Sequence, residues 1–280
     1  HTYDYVGNEL TTTDGTGTTT RTYDELGRVV TKTVQVIGTV TYDYDIFKGI
    51  EEGCYQVTTT DPKGNVTNKI YDKVGRLDRV IIGESKIIYS YNDNGSRKSV
   101  TYSDGSKEEY TYYDDGKLKS LINKKADGSV MDSYTYTYDT AGNQLTKKET
   151  INDVEKGITT YTYDTLNPLS TVTEPGGRTT EYTYDASGNR LTEKTIYNGV
   201  TTYKEYTYDN RNRLTNISIK VDNQLIVETI YTFDNNGNQL ITTEKTYKDG
   251  SLIGTATTET NNYDTYNQLI KTVTKDGTTV

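Results

Sequence analysis

Cys54 and His1 are the two side chains that could form a nucleophile and its base, and each is the single residue of its type. A thiolate nucleophile needs an imidazole or another base within hydrogen-bond reach, and the one imidazole here stands at residue 1. A lone cysteine also excludes an intrachain disulfide and a cysteine-based zinc site. The 40 acidic residues are numerous enough to supply paired carboxylates for glycoside hydrolysis. Most of them, however, are aspartates at regular positions, and a residue repeated along a whole chain reads as construction. The segments Asp234-Asn235-Asn236-Gly237-Asn238, Asn92-Asp93-Asn94-Gly95 and Asp43-Tyr44-Asp45 superficially look like calcium loops. None carries the alternating acidic ligands and distal Glu that would hold the ion, and a turn is the better reading. The 28 tyrosines could stack on sugars, but Trp is absent and the ring spacing is that of one packed sheet face. Asn65, Asn94 and Asn216 head Asn-x-Ser/Thr triplets, which matter only in a eukaryotic secretory protein. No catalytic residue, cofactor site or metal site is therefore expected.

The elements that must carry these residues follow a rhythm. An aromatic anchor returns every 20 to 30 residues, at Tyr3, Tyr23, Tyr44, Tyr71, Tyr91, Tyr112, Tyr138, Tyr163, Tyr184, Tyr208, Phe233 and Tyr263. A period of this size marks a repeat architecture whose units bury their faces against neighbours. Aspartate follows the anchor at Asp4, Asp24, Asp72, Asp139, Asp164, Asp185, Asp209, Asp234 and Asp264. Four residues after the anchor stand Gly7, Gly27, Gly75, Gly95, Gly116, Gly142, Asn167, Gly188, Asn212, Gly237 and Asn267. Gly and Asn share ready access to positive φ, and an Asp just before can accept backbone N–H groups inside a turn. Only Lys48 breaks the pattern, which leaves Tyr42-Asp43 as a rival to Tyr44 for that anchor.

Ahead of the anchors the residues alternate. Tyr134, Tyr136 and Tyr138, then Tyr161 with Tyr163, Tyr182 with Tyr184, Tyr206 with Tyr208 and Tyr231 with Phe233, are spaced by two. That period predicts β-strands with aromatic rings on one face. An aliphatic residue follows at plus six (Val29, Leu77, Leu118, Leu169, Leu214, Leu269) or plus seven (Leu10, Leu145, Leu191, Leu240), the latter always as Gly-Asn-x-Leu. A one-residue slip would turn Leu to the other face, so the Gly-Asn pair is expected to absorb it as a longer loop or a bulge. Gly83-Glu84, Asp104-Gly105, Asp127-Gly128, Asn198-Gly199 and Asp249-Gly250 supply a second hairpin signal in their repeats. Residues 1–280 are thus one continuous array of about 11 hairpin repeats, or roughly 22 antiparallel strands. The fold class is all-β: tandem hairpins in a long, twisted, spiralling antiparallel sheet that forms a shell, barrel or rod.

Hydrophobic residues, tyrosines included, amount to only 31%. That is too little for a thick core, so burial has to come from tyrosine ladders between strands. The net charge of −9 argues against nucleic acid or an anionic membrane as partner, and no apolar run approaches a membrane span. A start at His1 without Met or signal peptide is read as a fragment of a longer protein.

Tyr71-Asp72-Lys73-Val74-Gly75-Arg76-Leu77, Tyr23-Asp24-Glu25-Leu26-Gly27-Arg28-Val29 and Tyr184-Asp185-Ala186-Ser187-Gly188-Asn189-Arg190-Leu191 resemble the YD repeat of RHS proteins. Asp61-Pro62-Lys63-Gly64-Asn65 is similar to the aspartate-proline variant of that family, and Tyr102-Ser103-Asp104-Gly105 before Tyr110-Thr111-Tyr112 fits its spacing. The resemblance covers essentially the whole chain. It implies a hollow β-shell in which the Tyr, Asp and Gly residues are structural. In RHS toxins and insecticidal toxin complexes such a shell encloses a C-terminal toxic domain; in teneurins and cell-wall-associated proteins it belongs to a large extracellular molecule. The terminal segment with autoproteolytic aspartates is not found here, so this stretch would supply an arc of wall. The expected role is a non-enzymatic wall that encloses, protects or presents a toxin or other domain of a secreted or surface-exposed bacterial protein. The alternative is an extracellular adhesion or fibre-forming module, glycan-binding in one version. Expected partners are further YD repeats, an enclosed C-terminal domain, or a second copy joined through edge strands.

Overall fold

The computed structural model describes residues 1–44, 51–166 and 168–278. The repeat positions Asp45, Lys48 and Asn167 lie outside them. Twenty-five β-strands are present, and no helix occurs among the described residues. The chain divides into two compact units, His1–Tyr134 with Ile151–Asp153 and Thr135–Thr150 with Val154–Val280.

In the first unit the strands from Thr2–Tyr3 to Leu118–Lys124 pair antiparallel, each with its neighbour in sequence. The second unit repeats this meander from Val154–Tyr163 to Leu269–Thr278. There the two-residue strand Ser251–Leu252 pairs only with Gln239–Lys248, which goes on to pair with Ala256–Tyr263. The buried apolar residues are Ile70, Val100 and Ala256, and no large side chain is fully buried among the described residues. Each unit is a sheet without a core of the usual two-layer kind.

The alternation predicts the faces correctly. In Thr179–Tyr184, Tyr182 and Tyr184 are half-buried while Glu181 and Thr183 are exposed. The exposed positions are joined across strands by hydroxyl pairs, Thr22 with Thr31 at 2.7 Å and Thr183 with Thr192 at 2.6 Å. Such cross-strand contacts are the unit of sheet stabilisation where no second layer exists.

One register irregularity recurs. Tyr23 pairs with Val29 while Thr22 pairs with Thr31; Tyr184 pairs with Arg190 while Thr183 pairs with Thr192. The residue at plus seven is therefore an extra one in a β-bulge, and plus six and plus seven together oppose one anchor. The same shift stands before Tyr71, Tyr112, Tyr163, Tyr208, Phe233 and Tyr263. This corrects the expectation that Gly-Asn repeats alone carry the extra residue. Asp4 N–H donates to the Asn8 carbonyl at 3.0 Å and Asp24 N–H to the Arg28 carbonyl at 2.9 Å, so both repeat classes close the same loop. Leu at plus six or plus seven is a choice between two residues of one bulge.

The second turns are of several kinds; Gly83-Glu84, for one, joins Ile82 to Ser85 with positive φ at Gly83 alone. Asn198-Gly199 and Asp249-Gly250 are two-residue turns with both φ positive, joining Tyr197 to Val200 and Lys248 to Ser251. Asn152-Asp153 and Asp222-Asn223 adopt the same positive φ pair without glycine. Asp104-Gly105 and Asp127-Gly128 instead sit in longer loops like those after the anchors, closed by Tyr102 N–H to the Ser106 carbonyl and Lys125 N–H to the Ser129 carbonyl.

Val36 is out of place by type. Its φ is 73° in the turn between Val34 and Gly38, and its side chain is exposed. A β-branched residue is strained there by roughly 1–2 kcal/mol. Val36→Gly is expected to stabilise the chain by about 1 kcal/mol after glycine's own entropic cost, read as a higher urea midpoint. A lower midpoint would refute the left-handed turn.

Candidate functional site

The recurring structure with a defined geometry is the turn after each anchor. Asp185 shows how it is built. Its N–H donates to the Asn189 carbonyl at 2.9 Å, and its own carbonyl accepts Gly188 N–H at 3.1 Å. That is a tight turn followed by a left-handed residue, and Gly188 has φ +85°. The Asp185 carboxylate closes the loop from inside. Oδ1 accepts Ser187 N–H at 2.9 Å and Asn189 N–H at 2.8 Å, and Oδ2 accepts Asn189 Nδ2 at 2.9 Å.

The other predicted turns repeat this pattern. Positive φ is found at Gly7, Gly27, Gly75, Gly142, Asn212, Gly237 and Asn267. Asp4, Asp139 and Asp234 are clamped at Oδ2 by Asn8, Asn143 and Asn238. Asp24, Asp72 and Asp209 are clamped by the Nε of Arg28, Arg76 and Arg213, each at 2.7 Å. Asp164 and Asp264 accept the N–H of Leu166 and Tyr266. The aspartate-proline loop at Asp61 is the same structure, with Asn65 on its carboxylate.

The anchor tyrosine belongs to a second contact, which reaches the preceding repeat. Tyr23 Oη donates to the Glu9 carbonyl at 2.7 Å, Tyr44 to Val29 at 2.9 Å, and Tyr91 to Leu77 at 2.7 Å. Tyr163, Tyr208 and Tyr263 do the same to Gln144, Arg190 and Gln239. In each case the acceptor is the plus-six residue of the repeat before. The arginine clamps add to this link, because Arg28, Arg76 and Arg213 lie over the rings of Tyr44, Tyr91 and Phe233 at 4.3, 4.6 and 4.6 Å. One guanidinium thus holds its own turn and the next anchor. Tyr44, with both contacts, fills the anchor position that Tyr42 disputed.

These contacts set the charge states. The Asn65 side chain, followed by its backbone N–H, holds the Asp61 carboxyl below its ordinary 3.8. Arg213 does the same for Asp209 and Asn189 for Asp185. At Asp4, Asp72 and Asp234 desolvation is the largest influence and pushes upward, yet the hydrogen bonds outweigh it and the carboxyls stay low. A depressed folded-state pKa contributes stability that is present above the unfolded value and lost as pH falls through the folded one. Unfolding stability is therefore expected to be flat from neutral pH down to about 5 and to fall steadily below about 4. A stability maximum in strong acid would contradict the carboxylate clamps.

The Teneurin YD-shell family model matches residues 1–201. The chain belongs to the YD-shell family. Its fold is shared by solved structures: the TcdB2-TccC3-Cdc42 crystal structure superposes with a TM-score of 0.75 at 17% identity, covering 97% of this chain and 16% of that one. TcdB2-TccC3 without its hypervariable C-terminal region gives 0.73 at 18% identity, again with 97% and 16% covered. This YD-shell segment thus spans 16% of the length of the chains it matches. Comparison with curated protein sequences finds no match.

The remaining chemical candidates in the YD-shell segment are engaged or isolated. His1 Nδ1 lies 3.5 Å from Glu9 Oε1 and its ring stacks on Tyr3; Cys54 is a half-buried free thiol. A polar network that sequence reading missed surrounds Glu193, whose side chain is 16% exposed. It accepts Lys204 Nζ at 2.8 Å, Arg190 at 3.0 Å and Tyr206 Oη at 3.3 Å, while Arg190 lies over the Tyr182 ring. Burial favours the neutral acid at Glu193, but Lys204 and Arg190 outweigh it and hold the carboxyl below the usual range. The sequence signal for it is the alternation alone: Glu193 faces Lys204 across paired strands, and Tyr206 stands two residues further along the strand of Lys204.

Proposed function

We propose that this chain is a non-enzymatic stretch of shell wall that encloses or presents another domain of a secreted or surface-exposed bacterial protein. The observation that carries it is the consumption of the repeat's reactive groups by the repeat itself. Each clamped aspartate spends its carboxylate on its own loop, and the hydroxyls of Tyr23, Tyr44, Tyr91, Tyr163, Tyr208 and Tyr263 each spend their proton on a neighbouring carbonyl. A glycosidase acid requires a carboxyl raised toward neutrality, whereas Glu193, Asp185 and Asp209 are all pushed the other way. The absence of a thick core supports a wall, since a partition needs two accessible faces and little filling.

Electron microscopy of the purified full-length particle tests the reading. A closed hollow particle with density inside is expected. A continuous fibre of stacked copies would make the segment part of an adhesin or filament, and the enclosure reading would fall.

A further inference from the structure

The chain contains three Asn-Gly pairs, Asn94-Gly95, Asn198-Gly199 and Asn236-Gly237, all exposed and all in turns. They differ in whether the two groups that react in deamidation are already engaged. Gly95 N–H donates to the Asn92 carbonyl at 2.9 Å, and Asn94 Oδ1 accepts Ser96 N–H at 3.0 Å and Ser96 Oγ at 2.7 Å. Gly237 N–H donates to the Asp234 carbonyl at 3.2 Å, and Asn236 Nδ2 donates to Asn267 Oδ1 at 3.0 Å. Asn198 and Gly199 form the two-residue turn between Tyr197 and Val200, at φ 49° and 78°. Neither the Asn198 side-chain amide nor the Gly199 N–H has a hydrogen-bond partner among the described residues.

We propose that Asn198 is a site of spontaneous, water-driven deamidation, and that the fold protects the other two Asn-Gly pairs. The Gly199 nitrogen gives its proton to solvent base and attacks Cγ of Asn198. A C–N bond forms, the bond from Cγ to the side-chain nitrogen breaks, and that nitrogen leaves as ammonia with a proton from solvent. Water then opens the five-membered imide at either carbonyl, which yields aspartate or isoaspartate. Water is the only co-reactant. At Asn94 and Asn236 the attacking N–H must first leave a carbonyl, a cost absent at Asn198.

The two products affect the hairpin differently. Aspartate fits, because Asp249-Gly250 already occupies the same kind of turn at φ 51° and 78°. Isoaspartate adds a backbone carbon and cannot hold a two-residue turn between Arg190–Tyr197 and Val200–Tyr208. The site therefore gains one negative charge in either outcome, and in the isoaspartate one its hairpin tip opens as well.

Peptide mapping by mass spectrometry of the full-length protein, incubated folded and in denaturant at mildly alkaline pH, tests this. In the folded protein Asn198 is expected to deamidate about tenfold faster than Asn94 and Asn236, the factor for one hydrogen bond broken before attack. In denaturant the three rates should converge. Equal rates at the three sites in the folded protein would overturn the proposal. So would a silent Asn198 in the folded protein that reacts only once unfolded.

Discussion

Gly157→Ala is expected to destabilise the second unit by about 3 kcal/mol, the sum of backbone strain and overpacking. Gly157 lies in the strand Val154–Tyr163 with φ +107°. A Cβ there would stand 2.8 Å from Cβ and 3.0 Å from Cγ of Pro175. The proline cannot swing aside, because its ring is fused to the loop closed by Glu174 N–H to the Arg178 carbonyl. The first unit contains the same seat, where a Cβ on Gly38 would meet Pro62 Cβ at 2.7 Å. Two of the three prolines thus rest against a glycine of another hairpin. On a Pro175→Gly background, which lacks both of those carbons, Gly157→Ala should lose the steric half of its cost and keep only the φ cost. An unchanged urea midpoint in the single variant would show that the two hairpins do not approach this closely.

At the anchor the expected losses are graded. Tyr91→Phe should cost about 1 kcal/mol for the hydrogen bond to the Leu77 carbonyl. Tyr91→Ala should cost about 3 kcal/mol, because the ring under Arg76 goes too. The chain contains its own control in Phe233, which sits beneath Arg213 but has no hydroxyl to donate. Phe233→Tyr is expected to raise stability by the fraction of a kcal/mol that one part-exposed hydrogen bond contributes. If Tyr91→Phe were neutral, the anchor would act by packing alone and the link between repeats would be apolar.

The turns were legible in sequence because few residues tolerate a left-handed backbone. Gly188 and Asn212 mark such positions wherever they occur, and Asp before them marks the acceptor. The strands were legible through the period of two in Tyr182 and Tyr184. The partner of each group was not. Asn189 looked like a surplus residue in Gly-Asn-x-Leu, although it is the clamp that Arg213 provides in the other class; Asn and Arg share only a donor at a suitable distance from Oδ2. The tyrosine ladder expected from composition is mostly a ladder of hydroxyl to carbonyl and ring to guanidinium, with Tyr55 and Tyr71 stacked directly at 4.6 Å. Those contacts join residues whose separation varies from repeat to repeat, so no fixed local pattern exposes them. Val36 carries no left-handed signal at all, and its turn follows from the pairing of Val34 with Gly38.

The variable separation has a use in protein evolution and engineering. The anchor hydroxyl reaches the plus-six carbonyl across 14 residues at Tyr91, 19 at Tyr163 and 24 at Tyr263. The joint between repeats is therefore blind to how much chain is looped out between its two halves. Strands can lengthen and second turns can be replaced or grafted with foreign segments while the joint closes as before. A wall assembled on such joints can change its height from one hairpin to the next and accept inserts at the far tips without losing its seam.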